Sequence, residues 1–265
     1  MIDPSRDRVL ITGAAGAIGS TLRLGLRERY RHLRLIDVKP IADLAKNEEP
    51  IEGDVADASL LESAMKGVAG LVHLAGSARP ENLDSLLHVN TIGLIRVFDA
   101  ARASGVRRIV FASSNHTFGM YPITERVTPA HPPRPDSLYG AFKVLGETLL
   151  RYYHDKHGIS SVSVRIGTFR PEPIDQRSLA TWLSPADMVQ LADKGLTHPN
   201  PGCLVVNGYS ANTRIKTYDP NWDFLGYRPT DDAERHREML KAKGVDVDGP
   251  WEWSEHGGYY PDEPW

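Results

Sequence analysis

Apolar and polar positions along the chain alternate between two patterns. Short, nearly continuous apolar runs at Arg8–Thr12, Leu33–Asp37, Gly70–Ala75, Arg108–Ala112 and Ser161–Ile166 have the length of strands buried on both faces. Between them, Ala17–Tyr30, Ala58–Lys66, Asn82–Ala103 and Ser137–His157 carry apolar residues at helical spacing, and Gly105 and Gly158 follow two of these stretches as C-terminal stops. This alternation predicts an α/β fold, a Rossmann-like doubly wound parallel sheet with right-handed crossovers. In such sheets ligands bind at the carboxyl ends of the strands, so the loops that follow strands are where chemistry is expected. A late strand is predicted at Leu204–Asn207.

Composition removes several classes of partner. The 31 basic and 34 acidic residues give a formal charge of -3, which argues against a nucleic-acid or anionic-membrane surface. The single cysteine, Cys203, cannot form an intrachain disulfide, and the opening MIDPSRDRVLITG lacks the apolar centre of a signal peptide. No apolar run approaches the roughly 18 residues of a membrane span. The chain is therefore expected to be cytoplasmic. Proline is dense between Pro122 and Pro135 and again after Pro171, which marks candidate functional loops. The tail from Pro250, with Trp251, Trp253, Tyr259, Tyr260 and Trp265, is too rich in proline, glycine and acid for a helix; wrapping a neighbouring surface, extending an interface between copies of the chain, packing on itself and staying disordered are its alternatives.

The segment from Val9 to Gly19 places Gly13, Gly16 and Gly19 between a predicted strand and a predicted helix. Glycines there permit a tight turn and a close backbone approach to a pyrophosphate, and the helix start at Ala17, Ile18 and Gly19 presents unpaired N–H groups to the anion. A glycine-rich turn without a ligand is the alternative, because the second glycine comes one residue later than in the usual fingerprint. Asp37 closes the next strand, where its carboxylate can accept from an adenosine ribose and repel a 2′-phosphate. That favours NAD over NADP, although an ordinary turn-capping aspartate has the same position and Lys39 stands nearby. Asp54 and Val55 are placed at the adenine, and Leu74, Ala75 and Gly76 at the point where a strand end passes the cofactor; each alone also fits a simple turn. A single domain over 1–265 is expected, with 1–166 mainly the dinucleotide-binding core and 167–265 mainly a small C-terminal substrate-binding lobe, closing elements and tail.

Tyr139 and Lys143 are four positions apart in a predicted helix and so share one face, one turn apart. A phenol is a poor base at neutral pH, and an adjacent ammonium favours the phenolate. Lys143 is expected both to tune Tyr139 and to hold the nicotinamide ribose. An amphipathic helix carrying the two by chance is the alternative. Upstream, Ser113 and Ser114 end a strand, where a hydroxyl can orient a reacting hydroxyl.

With Gly13-x-x-Gly16-x-x-Gly19, the serine pair and Tyr139/Lys143 in this order, the chain resembles the extended short-chain dehydrogenase/reductase superfamily. By the spacing before the tyrosine, Ser114 is the better catalytic candidate, and Asn90 matches the family asparagine that supports the active-site backbone. Phe111–Gly119, Tyr121–Arg126, Arg134–Gly140, Val164–Gly167 and Pro171–Pro173 further resemble bacterial uronate dehydrogenases over most of residues 8–230. That resemblance implies NAD-dependent oxidation of the anomeric carbon of D-glucuronate or D-galacturonate to an aldarolactone. It implies Ile166 near the cofactor, Asn115 and His116 on sugar hydroxyls, Thr168 where the family often has serine, and Arg177 on the substrate carboxylate. Arginine suits that task because its fork binds a carboxylate in two places; by loop position alone Arg170 competes with Arg177. Ala78 replaces a substrate-contacting serine of the family, with Ser77 as the possible substitute. The other histidines, including His73, His154 and His157, show no metal-ligand spacing, and no metal is expected. The superfamily commonly pairs through the helices spanning 82–103 and 137–157, which implies a homo-oligomer. Two other functions share the scaffold: a nucleotide-sugar epimerase or dehydratase, which usually needs a longer C-terminal lobe, and a non-catalytic NAD-binding regulator, which expects a damaged active-site set.

Overall fold

The computed structural model describes residues 1–78 and 82–259. In chain order the elements are β1 (Arg8–Thr12), α1 (Ala17–Leu26), β2 (His32–Asp37), β3 (Glu48–Glu52), α2 (Ala58–Ala64), β4 (Val68–His73), α3 (Leu83–Leu87), α4 (Leu94–Ala103), β5 (Arg108–Ser114), α5 (Leu138–His157), β6 (Ser160–Ile166), β7 (Thr168–Phe169), α6 (Ser178–Thr181), β8 (Trp182–Leu183), α7 (Pro185–Thr197), β9 (Cys203–Gly208), α8 (Asn221–Leu225) and α9 (Arg237–Ala242). Seven strands form one sheet in the order β3-β2-β1-β4-β5-β6-β9, a Rossmann-like α/β arrangement as predicted. The pairs β1–β2, β1–β4, β2–β3 and β4–β5 are parallel. The strand order reverses at β1 and β4, so a crevice opens beyond their carboxyl ends. A second, two-stranded sheet pairs β7 with β8. Among the described residues, no helix is long and apolar enough to cross a membrane.

Three departures from the predicted elements have physical reasons. β3, Glu48-Glu-Pro-Ile-Glu52, has no apolar period. It is an edge strand in which arginines take up the acids: Arg23 donates through Nε (3.1 Å) and Nη2 (2.7 Å) to Glu48, and Arg34 donates through Nε (3.0 Å) and Nη2 (2.9 Å) to Glu49. Pro50 is tolerated because an edge strand need not donate on its outer side. The predicted helix Asn82–Ala103 is interrupted by a π-helical turn, His88–Gly93, between α3 and α4. Such turns are rare and cluster at functional sites. α1 stops at Leu26, short of Tyr30, whose ring is buried while its hydroxyl donates to Asp193 (2.9 Å).

The chain divides into two compact units. The first comprises Met1–Ala112, Leu145–Ser163 and Ala192–Leu204; the second comprises Ser113–Val144, Val164–Leu191 and Val205 onward. The core of the first is built on Leu10, Leu71, Phe98, Ile109 and Phe111, with His73 stacked on Phe111 at 6.0 Å between centroids. Two smaller cores serve the second: Leu179, Trp182, Ala233, Leu240 and Val247, and Phe118, Tyr121, Val127 and Tyr209.

Within the first unit, α5 lies unusually close to β5. A Cβ on Gly146 would stand 2.4 and 2.6 Å from two ring carbons of Phe111, which is fully buried. Gly146→Ala should gain up to ~1 kcal/mol in helix propensity but lose roughly 1–3 kcal/mol to overpacking. A net fall in the denaturant midpoint is expected; a net rise would show that the helix has room to move.

Candidate active site

The crevice beyond β1 and β4 holds a cavity of about 270 Å³, lined by the ends of β1, β2, β3 and β4 and including Gly13, Asp37, Asp54, Val55, Leu74 and Ser77. Its floor requires glycine. Gly13 has φ +72°, and a Cβ there would stand 2.8 Å from the Ala75 amide nitrogen; a Cβ on Gly19 would stand 2.2 Å from the Gly13 carbonyl oxygen. The first position lets the two strand ends pass close together, and the second lets α1 pack its first turn against the loop. Ala17 and Ile18 begin that helix directly after Gly16, so their amides are among the unpaired donors of its N-terminus. This glycine-built concavity, ending in amide donors with a carboxylate opposite, fits the pyrophosphate and ribose of a dinucleotide.

The carboxylates are held by backbone. Asp37 accepts from the Ala15 amide (2.9 Å) and the Lys39 amide (3.0 Å), which fixes its plane and leaves acceptor capacity for ribose hydroxyls. Asp54 accepts from the Ala56 amide (2.8 Å) and pairs with Nε2 of His88 (2.8 Å). Burial alone would raise the proton affinity of Asp54, but those two partners outweigh it and keep the carboxyl below its usual range. Asn90, two residues on in the π-helical turn, is buried; its Oδ1 accepts from the Ser77 amide (2.9 Å) and its Nδ2 donates to the Ser77 carbonyl (2.8 Å). One side-chain amide therefore clamps the backbone after β4 from both sides. Gly76 and Ala78 are exposed and Ser77 is half-buried.

The other predicted residues lie in the second unit. Ser114 ends β5, and its Oγ accepts from the His116 amide (3.2 Å); that bond leaves the hydroxyl proton available to donate. Ser113 beside it is fully buried. α5 begins at Leu138, where Ser137 Oγ accepts from the Gly140 amide (3.1 Å), so Tyr139 and Lys143 occupy its first two turns. Gly140 cannot be larger, since its Cβ would stand 2.3 Å from the His116 carbonyl oxygen. Tyr139 meets the His116 ring edge-on at 6.0 Å, and Lys143 Nζ lies 5.5 Å from the Tyr139 ring centroid. Lys143 is only 6% exposed, and burial pushes its ammonium down to about 8.

Arg177 is half-buried and anchored on one edge: Nε (3.1 Å) and Nη2 (2.9 Å) donate to the His256 carbonyl. Asn115 joins it when its amide is oriented so that Nδ2 donates to the Ile166 carbonyl (3.1 Å) and Oδ1 accepts from Arg177 Nη2 (2.5 Å). Asn115, Ile166 and Arg177 thus form one network. Thr168 pairs its hydroxyl with that of Thr181 (2.9 Å), which also donates to the Arg177 carbonyl (3.2 Å). Arg170 is exposed, and its carbonyl serves Trp182 Nε1 (2.8 Å).

Two contributors escaped sequence reasoning. Asp136, with a fully buried side chain, accepts from Nδ1 of His116 (2.7 Å) and from Ser137 Oγ (2.9 Å). A carboxylate only accepts, so the neutral imidazole facing it carries its proton on Nδ1 and its lone pair on Nε2. Burial, with Arg177 adding to it and Asp136 opposing, lowers the proton affinity of His116 and keeps the ring neutral near pH 7. Gly119 makes room: a Cβ there would stand 1.7 Å from Asp136 Oδ2. An Asp-Ser pair just before a predicted helix is an N-terminal signal and points to Asp136. The second contributor, the chain at His256, is anticipated only as part of a tail that could wrap a neighbouring surface. Ser254–Gly258 does so, and Trp251, Trp253 and Tyr259 are among the described residues, whereas Tyr260 and Trp265 lie outside them.

The depression of Lys143 from 10.5 to about 8 by burial amounts to a folding penalty of roughly 3 kcal/mol at about 1.4 kcal/mol per tenfold change in proton affinity. The penalty is full below pH 8, shrinks as the folded lysine deprotonates, and vanishes above the unfolded value of 10.5. Lys143→Met should therefore be more stable than the natural chain by about 1–3 kcal/mol at pH 7, with the difference lost by pH 10–11. Denaturation of both proteins across this range checks it; a less stable variant at pH 7 would contradict the buried-charge reading.

The profile of the NAD dependent epimerase/dehydratase family matches residues 9–187. A uronate dehydrogenase from Agrobacterium fabrum is 45% identical over 233 residues, 88% of each chain. The crystal structure of glucuronic acid dehydrogenase from Chromohalobacter salexigens superposes with a TM-score of 0.91 at 39% identity, covering 97% of both chains. That of a tyrosine-to-alanine variant of uronate dehydrogenase from Agrobacterium tumefaciens, complexed with NAD, superposes with a TM-score of 0.91 at 40% identity and covers 98% of both. A glycine-built dinucleotide crevice on a seven-stranded parallel sheet and relatives of this similarity over nearly the whole chain agree: it belongs to the NAD dependent epimerase/dehydratase family and, within that family, groups with the uronate dehydrogenases.

Proposed function

We propose that the chain oxidises the anomeric carbon of hexuronates, D-glucuronate and D-galacturonate, to aldarolactones with NAD as acceptor. The observation that carries this reading is the network of Arg177, Asn115 and Ile166 in the same compact unit as Ser114, His116, Tyr139 and Lys143. It supplies a held cation for a sugar acid alongside a proton-transfer set. The names of the relatives, uronate dehydrogenase and glucuronic acid dehydrogenase, support the substrate class, and the relative complexed with NAD supports the cofactor.

In this reading Arg177 pairs with the substrate carboxylate, and Nε2 of His116 and the Asn115 amide meet ring hydroxyls. Thr168 and Ser77 border the sugar. Ser114 donates to the anomeric oxygen while Tyr139 accepts its proton, and the buried Lys143 ammonium favours the phenolate form that results from handing that proton onward. Lys143 also donates to the nicotinamide ribose. The Gly13–Gly19 loop holds the pyrophosphate, Asp37 the adenosine ribose, Asp54 and Val55 the adenine, and Leu74–Gly76, Asn90 and Ile166 the nicotinamide end. Bound NAD supplies the acceptor for the hydride. Asp37 favours NAD over NADP, because a 2′-phosphate beside its carboxylate would be repelled.

A homo-oligomer in the cytoplasm is part of the same proposal. The exposed apolar side chains of Ile92 and Ile95 and the ring of Tyr152 support association through α4 and α5.

NADH formation with glucuronate, galacturonate, glucose and galactose side by side tests the reading. Both uronates should exceed the neutral aldoses in kcat/KM by about tenfold or more. Activity confined to neutral sugars, or conversion of a nucleotide sugar without net NADH, would contradict it.

A further inference from the structure

The C-terminal segment docks onto the loop after β5. Glu255 bridges Pro122 in antiparallel fashion. The Ile123 amide donates to the Ser254 carbonyl (2.7 Å), the His256 amide to Tyr121 (3.0 Å) and the Gly257 amide to Gly119 (2.9 Å). His256 is buried, its Nε2 donates to the Glu125 carbonyl (2.8 Å), and its ring meets Phe118 edge-on at 5.7 Å. These backbone and side-chain contacts fix the direction of the His256 carbonyl. That carbonyl is the acceptor for both Nε and Nη2 of Arg177. The neighbouring residue is tied in the same way, since Gln176 Nε2 donates to the carbonyls of Gly249 (2.9 Å) and Pro250 (3.2 Å). Gly258 closes the contact: a Cβ there would stand 2.7 Å from Arg177 Cδ and 2.9 Å from Nε, and its φ is +70°.

A guanidinium carries five N–H donors in a fixed plane. The His256 carbonyl takes the Nε–H and one Nη2–H, and the Asn115 amide takes the other. Nη1 has no hydrogen-bond partner among the described residues. Two neutral acceptors on one side of a cation immobilise it without neutralising it, so its charge is kept for an anion at the other end.

We propose that the strap Ser254–Gly258 is a specificity-determining part of the carboxylate clamp: its His256 carbonyl holds the Nε edge of Arg177 and so directs the Nη1 end to the uronate carboxylate. This rests on the uronate reading above. The strap makes carboxylate recognition depend on residues about 80 positions downstream of the arginine, and it predicts a loss specific to acidic sugars when the strap is pushed away.

The test uses the full chain with Gly258→Ala and Gly258→Val, which insert a side chain against Arg177. Gly244→Ala serves as control, because Gly244 has a similar left-handed backbone (φ +82°) and nothing within 4 Å of its Cβ position. Gly258→Val should raise the KM for glucuronate by about tenfold or more, with kcat and the KM for NAD changed less than about threefold. Gly258→Ala should show a smaller rise and carries the test if the valine variant does not fold, and Gly244→Ala should leave the KM unchanged. Weak turnover of glucose should not respond in any of the three. A folded Gly258 variant with an unchanged or lowered glucuronate KM would overturn the proposal, as would a loss shared equally by glucose. If the natural chain itself fails to prefer glucuronate over glucose, the functional reading falls and the strap proposal with it; a natural preference left intact in the variants removes the strap proposal alone.

Discussion

An ammonium group buried beside a phenol is costly, and the helix that carries Lys143 is placed to sustain one. Lys143 loses hydration that no surface lysine gives up, and burial alone brings its proton affinity close to neutrality. The helix that carries it must start at a fixed place and in a fixed direction. Ser137 caps that start, Gly140 lets it lie against the His116 carbonyl, and further along the same helix Gly146 lies flat on Phe111. Gly140 and Gly146 are the geometric counterpart of the charge: at each, a Cβ would push the helix that carries Tyr139 and Lys143 off its neighbour.

The same logic of holding a charge with neutral groups recurs at Arg177 and His116. Arg177 is steadied by a backbone carbonyl and a side-chain amide, so its charge is not spent on a protein carboxylate. His116 faces Asp136, yet burial keeps it neutral, and the carboxylate acts mainly to choose which ring nitrogen bears the proton. A site of this kind presents the Arg177 cation, the neutral His116 acceptor and the Tyr139 phenol. That combination suits a ligand with one acidic end and several hydroxyls better than a neutral sugar.

How far the sequence foretold this depends on the range of the interactions involved. The strands β1, β2, β4, β5, β6 and β9 were legible because burial on both faces leaves an apolar run. β3 was not, because its acidic residues are satisfied by Arg23 and Arg34 from elsewhere in the chain, and no local pattern announces that. The glycine loop and the Tyr139/Lys143 spacing were readable as local geometry, whereas the π-helical turn at His88–Gly93 answers to contacts with Asp54 and Ser77. Asp136 lay within reach of capping rules. The docking of His256 on Arg177 did not, since it joins segments 79 residues apart.

Proton transfer in the proposed reaction is assigned to Tyr139, with Lys143 sustaining it. Tyr139→Phe removes one oxygen and leaves the ring packed against His116, so the most direct measurement is single-turnover NADH formation from glucuronate by this variant, with NAD binding measured in parallel. NAD affinity is expected within about twofold of the natural chain and the rate lower by ~10²–10⁴. A folded Tyr139→Phe protein that forms NADH within about tenfold of the natural rate would contradict it.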